Sequence, residues 1–419
     1  MVLHMQVYER FGDLSIWDRI GRRLDWYKGV SLNRFPAKYL IARYTDAGNS
    51  RAFADTDVGK HMEIYRKSAR SFKRLKKSVL QGQKLSELPV PEYSLLDLAR
   101  DITSNMLRSC IFCRWRCKVD RVEGKRLGAC MLTDESRVSS FFHHTGEELV
   151  FRGTHGSGTI FFTSCNMRCL FCQNSDISRD RFNGVPVSGK DIADMAMQLR
   201  NEGCHNINYV GGEPSIHLHS IVDSIWHMGN EGSKAESPFI SSGIMVVKQD
   251  HFPYPYRKEF SEHDGFFNVP ILFNTNMFLS LEAMEILRPL VDIWLPDFKF
   301  GPGGCAVRLS RTPWYYETVT SNLKKLNQWN EDVMIRHLIM PNHVECCTKP
   351  VLKWISDNMN DVPVNIMAQY RPEAFADPTS RDFNRRAQDI ARKPYQSELD
   401  ESWNYAEELG INYREASFE

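Results

Sequence analysis

Short apolar runs alternate with amphipathic stretches along most of the chain after residue 150. Each run is rich in β-branched and aromatic residues, and the stretches between them carry apolar residues every three or four positions, which is helical spacing. The six predicted strands cover residues 158–163, 206–210, 270–276, 292–299, 333–340 and 362–370. Strands that alternate with helices predict a parallel sheet, so the pattern indicates an α/β fold.

Two of the intervening helices have recognisable starts. Ser188, with Asp191 three positions later, has the pattern of a capping box ahead of an apolar stripe. Thr348 followed by Pro350 predicts the start of the helix between the last two strands.

The first 100 residues carry no chemical motif, and we expect them to form a mainly helical extension. Between residues 66 and 77 lie seven basic side chains and no acidic one. Apolar residues recur at helical spacing through the same region at Tyr65, Ala69, Phe72 and Val79. We interpret this stretch as an amphipathic helix with a solvated basic face, and docking of an acidic partner is the alternative.

Polar residues recur at the carboxyl ends of the predicted strands. The first strand ends in a cysteine-containing loop, and the other strands end in polar pairs: Gly212 and Glu213, Thr275 and Asn276, Asp297 and Lys299, Arg336 and His337, and Gln369 and Tyr370. In α/β barrels this edge carries the active site. We therefore expect a functional site where these strand ends meet.

Composition and charge exclude several classes. The chain has 419 residues, of which 42% are hydrophobic and 25% charged, so it is a globular protein. Its 53 basic and 52 acidic side chains give a formal charge of +1, which argues against nucleic acid as a partner. No apolar stretch is long enough to cross a membrane, and Glu9 and Arg10 argue against a signal peptide. We expect a soluble, cytoplasmic protein without a membrane partner.

Seven of the eleven cysteines fall in two groups. The upstream cysteines are Cys110, Cys113, Cys117 and Cys130, and the cluster cysteines are Cys165, Cys169 and Cys172. In a reducing compartment such groups indicate metal or iron–sulfur ligation. The remaining four lack a paired pattern, and we interpret them as small core or rim residues: Cys204, Cys305, Cys346 and Cys347.

The two groups predict different centres. Three thiolates from the short cluster loop can hold three corners of a [4Fe–4S] cubane and leave the fourth iron open, whereas a zinc site with His155 as fourth ligand is the alternative. Four upstream thiolates suit a closed centre containing zinc, a single iron or a second cluster. Nearby cations would help to keep those thiolates deprotonated: Arg114, Arg116, Lys118 and Arg121. Such a centre could hold the N-terminal region on the barrel or relay electrons.

The cluster loop, with Phe171 before its last cysteine, and the Gly-Gly-Glu-Pro run at residues 211–214 resemble the radical S-adenosylmethionine (SAM) superfamily over about residues 150–375. The resemblance implies a partial (β/α)6 TIM-like barrel. It also implies that the open iron binds S-adenosylmethionine, and that a reductant such as flavodoxin or ferredoxin drives its cleavage to a 5′-deoxyadenosyl radical.

Within the superfamily the chain is most similar to pyruvate formate-lyase activating enzymes and their relatives, from phrases at residues 156–162, 172–174, 295–299 and 369–372. The cofactor-binding residues that this implies are Phe171, Gly211, Gly212, Glu213, Asn274, Thr275, Asp297, Lys299 and His337. The catalytic candidates are Asp297, Lys299 and Tyr370. Asp297 and Lys299 could instead form only a rim ion pair. Arg336 and Arg371 could bind a carboxylate or cap strand-end carbonyls.

We predict four parts: a helical extension (1–100), a Cys-rich metal-binding segment (101–150), the barrel (151–375, with an insertion at about 229–268) and C-terminal helices (376–419). Short activating enzymes do not need the first 100 residues, the upstream cysteines or the insertion, so we interpret these additions as concerning the substrate. Aromatic residues of the insertion could cover the barrel mouth or pack the insertion down: Phe252, Tyr254, Tyr256, Phe266 and Phe267.

The leading functional hypothesis is an anaerobic oxidoreductase-type enzyme that uses the radical to abstract hydrogen from a carbon of a peptide or protein. One alternative is a cobalamin-dependent C-methyltransferase that modifies a protein residue, as in methyl-coenzyme M reductase. The sequence lacks the usual Asp-x-His-x-x-Gly cobalamin loop, which disfavours this alternative. A further alternative is a non-catalytic iron–sulfur or zinc-binding protein.

Overall fold

The computed structural model describes residues 15–20, 22–48, 57–231 and 261–417. Ten strands lie in these ranges: β1 Ser136–His144, β2 Ser157–Phe162, β3 Val185–Val187, β4 Ile207–Gly211, β5 Glu262–His263, β6 Phe266–Phe267, β7 Ile271–Thr275, β8 Ile293–Pro296, β9 Ile335–Leu338 and β10 Val364–Met367. Most of the insertion lies outside the described residues, including three of the aromatic residues named above, Phe252, Tyr254 and Tyr256.

Helices cover the sheet and both ends of the described chain. They are α1 Ser15–Ile20, α2 Asp25–Ser31, α3 Lys38–Arg43, α4 Val58–Leu80, α5 Leu95–Met106, α6 Leu149–Arg152, α7 Ser175–Arg179, α8 Gly189–Asn201, α9 Leu218–Glu231, α10 Leu281–Leu287, α11 Cys305–Ser310, α12 Tyr315–Gln328, α13 Lys349–Asn358, α14 Gln396–Glu408 and α15 Arg414–Ser417. None of these helices is both long and apolar enough to cross a bilayer.

Six parallel strands follow one another in the order β2, β4, β7, β8, β9 and β10. β8 joins β9 through single bridges, in which the Phe298 amide donates to the Arg336 carbonyl at 2.8 Å and the Trp294 amide donates to that of Asp332 at 3.0 Å. This sheet and its helices form a partial TIM-like barrel, which confirms the predicted fold class.

Two antiparallel strands extend this sheet and were not predicted. β1 pairs with β2, and β3 pairs with β1. Only part of β1 is buried, which gives it a weak apolar pattern. The sheet therefore begins at Ser136 rather than near residue 151. α5 crosses the predicted boundary at residue 100 and continues to Met106.

The predicted helix starts are present. Ser188 and Asp191 form a capping box at the start of α8. α13 begins at Lys349, directly after Thr348, and a π-helical turn over Val344–Thr348 leads into it.

The N-terminal helices close the end of the barrel at which the strands begin. Asp292, just before β8, accepts hydrogen bonds from Trp26 Nε1 at 2.8 Å and from the Lys38 amide at 3.0 Å. Asp332, before β9, accepts from the Tyr27 amide at 2.8 Å. These helices therefore lie at the face opposite the strand carboxyl ends, which argues against the expected link between this part of the extension and the substrate.

Helix α4 is amphipathic, in agreement with its sequence. Its buried face includes Tyr65 and Phe72, and the Tyr65 hydroxyl donates to the Ile286 carbonyl at 2.8 Å. Most of its basic side chains are exposed. Lys76 differs, because its ammonium lies 3.8 Å from the centre of the Trp26 ring and burial lowers its pKa to about 8.

The C-terminal segment covers the free edge of β10. The amide of Val364 donates to the carbonyl of Asn412 at 2.9 Å, and the amide of Ile366 donates to Ser417 Oγ at 2.8 Å. Asn412 Nδ2 in turn donates to the carbonyl of Ile20 at 3.2 Å. The last strand is therefore sealed jointly by residues from both ends of the described chain.

Two aromatic residues of the insertion pack against the N-terminal helices. The ring of Phe266 meets Tyr44 edge-on, with 5.7 Å between centroids. The Tyr39 hydroxyl donates to the carbonyl of Phe267 at 2.6 Å. For these two residues, the structure agrees with the alternative in which the aromatic side chains pack the insertion down.

Candidate active site

The cluster cysteines lie in a loop that follows β2 and is fixed from two sides. Ser164 enters the loop with a φ of 63° and donates through Oγ to the Cys130 carbonyl at 2.5 Å. On the other side, the amides of Arg168 and Leu170 donate to the last carbonyls of α11, those of Ser310 and Leu309, at 3.0 and 2.8 Å. The loop is thus held between the Cys-rich segment and α11.

A cavity of about 610 Å³ opens in front of this loop. All three cluster cysteines line it, together with residues from the carboxyl ends of the other parallel strands. The predicted cofactor-binding residues on its wall are Phe171, Gly211, Gly212, Glu213, Asn274, Asp297 and Lys299. The structure therefore brings most of the predicted site together around one space.

Three of the predicted cofactor-binding or catalytic residues are not part of the cavity wall. Thr275 donates through Oγ1 to Glu213, and the Tyr370 hydroxyl donates to the Ile390 carbonyl. The ring nitrogens of His337 lie 2.7 Å from the Phe298 carbonyl and 2.9 Å from Thr348 Oγ1. Burial lowers the pKa of His337 to about 4, which keeps its ring neutral. These contacts place the three side chains behind the wall, and the Tyr370 ring lies 6.0 Å from the ring of Phe171, which lines the cavity.

Strand geometry explains this division. Successive side chains of a strand point to opposite faces, so within β9 only one of Arg336 and His337 faces the barrel interior. Arg336 and Gln369 line the cavity, whereas the adjacent His337 and Tyr370 face the surrounding helices.

Glu213 is buried and already has three internal donors. Its carboxylate accepts from Thr275 Oγ1 at 2.7 Å, from the Asn276 amide at 2.8 Å and from the Ser215 amide at 3.1 Å. Burial raises its pKa, and these hydrogen bonds oppose that rise. The side chain therefore ties the end of β4 to the end of β7, in addition to any contact with a ligand.

Gly212 lets two backbone segments approach each other. A Cβ at this position would lie 1.6 Å from the Ser164 carbonyl oxygen, which is a backbone atom and cannot rotate away as a side chain could. No side chain can be accommodated without moving the cluster loop or the end of β4.

Asp297 and Lys299 form an ion pair on the cavity wall. Burial alone would lower the pKa of Lys299, but the adjacent carboxylate of Asp297 raises it above its ordinary value. Burial raises the pKa of the Cys169 thiol to about 12, while the Lys299 ammonium acts in the opposite direction. Lys299 thus places a positive charge close to the cluster loop, and the Asp297 carboxylate offsets part of its effect on Cys169.

An ionic network on the same wall was not foreseen. Arg336 donates through Nε and Nη2 to Glu148, at 2.8 and 2.5 Å, and it also pairs with Glu147. Burial would raise the pKa of Glu147, but the charge of Arg336 lowers it to about 2. The only sequence signal for this network is two adjacent acids before an apolar run. Arg371 does not join it, because that side chain is largely exposed and pairs with Glu373.

The upstream cysteines line a second, very small cavity of about 10 Å³. Their segment packs directly on the cluster loop, since Trp115 Nε1 donates to the Asn166 carbonyl and Arg168 Nη2 donates to the Ala129 carbonyl, both at 2.8 Å. Burial raises the pKa of Cys113 and Cys130.

Only some of the neighbouring cations are placed, as predicted, to favour the thiolate form of the upstream cysteines. Arg121 is buried, and its charge opposes the pKa rise of Cys130. Arg116 is instead paired with Glu282, and Arg114 lies over the Trp314 ring. These two arginines therefore contact residues at the starts of α10 and α12.

His155 lies just before β2, whereas the cluster cysteines follow that strand. A six-residue strand spans roughly 20 Å at about 3.3 Å per residue, so the two cannot share an ion. The zinc alternative that used His155 is wrong.

Comparison with known proteins identifies the family. Residues 159–355 match the model of the Radical SAM superfamily. The chain is also 32% identical to the uncharacterized protein MJ0674 of Methanocaldococcus jannaschii over 396 residues, which is 93% of this chain and 98% of that protein. The chain belongs to the radical SAM superfamily.

Two solved structures with similar folds are those of Streptococcus suis SuiB, one bound to the precursor peptide SuiA and one to S-adenosylmethionine. Each has 12% identity and a TM-score of 0.39 over 60% of this chain, and the match covers 46% and 48% of those chains. This radical SAM chain thus spans about half the length of the solved structures it matches.

Membership in the radical SAM superfamily implies a [4Fe–4S] cluster and S-adenosylmethionine, and the site fits both. Three thiols project from one loop, as a cubane with one open iron requires. The adjoining cavity is within the range of about 300–1,000 Å³ that small-molecule sites occupy.

Proposed function

We propose that the chain is a radical SAM enzyme that abstracts hydrogen from a carbon of a peptide or protein. The observation that supports this most directly is the single cavity shared by the cluster cysteines, the Asp297–Lys299 pair and a set of unpaired amide side chains. When bound, the cluster and S-adenosylmethionine supply reductive cleavage to a 5′-deoxyadenosyl radical.

The residues around the cavity have separable tasks in this proposal. The cluster cysteines hold three irons, and the Gly212 backbone leaves room for the loop beside β4. Asp297 and Lys299 offer an acceptor and a donor just after the end of β8, where the polar parts of S-adenosylmethionine would lie. Arg336 is already neutralised by two carboxylates, so it gives this wall a fixed shape rather than a free charge.

Amide side chains support a peptide substrate. Gln173, Asn174 and Gln369 line the cavity and form no side-chain hydrogen bond with other described residues. A side-chain amide both donates and accepts hydrogen bonds, as a peptide backbone does. Peptide or protein substrates also agree with the resemblance to pyruvate formate-lyase activating enzymes.

We also propose a second metal centre at the upstream cysteines. They converge on one small cavity next to the cluster loop, a position that suits either support of that loop or electron transfer from a flavodoxin or ferredoxin. Zinc, a single iron and an iron–sulfur cluster are the candidates, and elemental analysis separates them.

The experiment is anaerobic turnover of the reconstituted chain with S-adenosylmethionine and a reductant. We expect 5′-deoxyadenosine from the wild-type chain and none when any cluster cysteine is replaced by alanine. Cys204→Ala is the matched control, because Cys204 is also buried but contacts His143 away from the cavity. Cleavage activity that survives in a cluster-cysteine variant would refute the site assignment.

Substrate class is tested separately with deuterated peptides. Deuterium transferred from a peptide carbon into 5′-deoxyadenosine would support hydrogen abstraction. A tightly bound corrinoid, together with methyl transfer to the peptide, would replace this proposal with the C-methyltransferase alternative.

A further inference from the structure

Four potential metal ligands come together outside both cysteine groups. They are Cys305, His343, Cys346 and Cys347, and one ligand atom from each lies within 4.8 Å of all the others. We refer to them as the Cys305 group. Among the described residues, no other set of three or more His, Cys, Asp or Glu ligands is as close together.

The group joins two loops at the carboxyl ends of the strands. Cys305 begins α11 after the loop that leaves β8, whereas the other three ligands lie in and just before the π-helical turn that follows β9. Gly301 lets these loops touch, because a Cβ there would lie 2.3 Å from the Cys346 carbonyl oxygen. The four ligands therefore lie on two loops whose backbones are in direct contact.

The distances between the ligand atoms match a tetrahedral zinc site. Cys346 Sγ lies 3.7 Å from Cys305 Sγ and 3.9 Å from Cys347 Sγ. His343 Nδ1 lies 3.2 and 3.5 Å from the sulfurs of Cys346 and Cys347. Zinc bonds of about 2.3 Å to sulfur and about 2.0–2.1 Å to nitrogen place two sulfurs about 3.8 Å apart in a tetrahedron, and sulfur about 3.5 Å from nitrogen.

The same distances argue against a disulfide. Bonded sulfurs are about 2.05 Å apart, which is well below either sulfur–sulfur separation in the group.

A carboxylate orients the histidine. Asp389 Oδ2 lies 3.1 Å from His343 Nε2, and Arg308 donates to both Asp389 oxygens at 2.7 and 2.6 Å. Arg308 Nη2 is also 3.1 Å from Nε2. A proton on Nε2 would satisfy Asp389 and leave the Nδ1 lone pair directed at the three thiols, which is the usual arrangement around a zinc-bound histidine.

We propose that Cys305, His343, Cys346 and Cys347 bind one zinc ion in a closed, structural Cys₃His site. Four protein ligands leave no open position for substrate or water, as in other structural zinc sites.

The proposed zinc would support the catalytic loop from behind. α11 begins at Cys305, and the carbonyls at its other end accept the Arg168 and Leu170 amides of the cluster loop. Fixing the first residue of this short helix to the π-helical turn would therefore limit movement of the cluster loop.

The test is metal analysis of the full chain purified anaerobically after growth with zinc and iron. We expect Cys305→Ser and Cys346→Ser to contain one zinc fewer per chain than wild type. Cys204→Ser, a buried cysteine outside the group, is expected to keep it. His343→Cys should retain zinc, because it exchanges one ligand for another, whereas His343→Gln should lose it.

A second measurement needs no variant. The Cys346 side chain is exposed, so alkylation should be slow in the zinc-loaded chain and rapid after a chelator removes the metal. Equal zinc content in all chains, full alkylation of Cys346 before chelation, iron in place of zinc, or a disulfide within the group would each overturn the proposal. Zinc should also remain when the cluster cysteines are replaced by alanine, which separates this result from the proposed function.

Discussion

Replacing Arg336 with methionine should destabilise the fold strongly at neutral pH. The guanidinium is the cationic partner of Glu147 and Glu148, whose side chains are only 4% and 2% exposed. Arg336 itself is 14% exposed. Methionine fills similar space but leaves two buried carboxylates without their counter-charge, and breaking a buried pair in this way costs about 3–5 kcal/mol.

The loss should depend on pH in a defined direction. In the wild type the folded pKa of Glu147 is lowered to about 2, so its contribution to stability is present above the unfolded value of about 4.3 and disappears as pH falls towards 2. In Arg336→Met the largest charge that opposes burial is gone and only the weaker effect of His144 remains, so the pKa of Glu147 rises. Protonation of Glu147 then removes its uncompensated charge in the variant. The difference in free energy of unfolding between wild type and Arg336→Met should therefore become smaller as the pH falls from 7 to 4.

The assay is anaerobic urea unfolding followed by tryptophan fluorescence at several pH values. Arg66→Met is the matched control, because Arg66 pairs with Glu285 on the surface and is 47% exposed. Its removal should cost only about 0–1 kcal/mol, with little change over this pH range. Equal losses of unfolding free energy in the two variants would refute this reasoning. A loss in Arg336→Met that is the same at pH 7 and pH 4 would also refute it, because Arg336 would then not be compensating the charge of the buried carboxylates.

Three further predictions concern the site. Glu213→Gln should lower the free energy of unfolding by about 1.5–3 kcal/mol and weaken S-adenosylmethionine binding measured by calorimetry, because an amide nitrogen would face one of three buried donors; unchanged stability and affinity would contradict this. Gly212→Ala should prevent stable cluster loading, read as iron content, since its Cβ would overlap the Ser164 carbonyl, whereas Gly304→Ala has open space and should load normally. A chain with all cluster cysteines replaced by alanine should still bind metal at the upstream cysteines, beyond any zinc in the Cys305 group, and four freely alkylated upstream thiols would refute that centre.

The strands and the cluster loop were predictable because their signals are local. Each parallel strand is a short buried run, and the three cluster cysteines lie within eight residues of each other. Which polar residue of a strand-end pair enters the cavity was not predictable. Arg336 and His337 are adjacent, and choosing between them requires the register of β9, which an apolar run predicted over residues 333–340 does not define.

The residues that sequence reasoning missed are those that meet through the fold. Cys305 and Cys346 are 41 positions apart, so no spacing motif joins them. They meet only because consecutive strand–helix units place their loops side by side. Glu147 and Glu148 similarly find Arg336 almost 190 positions later. Such pairs depend on topology, which a one-dimensional pattern does not contain.

The seal on β10 has a consequence for how the protein is made. Asn412 and Ile20 are separated by 392 positions, yet they meet beside the last strand. Contacts of such long sequence separation form late in folding, because a large loop must close first. During synthesis, the edge of β10 stays unpaired until residues 411–417 have left the ribosome, and an unpaired edge can recruit another strand. We therefore expect newly made chains to be most prone to aggregation before residues 411–417 emerge, and chains truncated ahead of residue 411 to be insoluble.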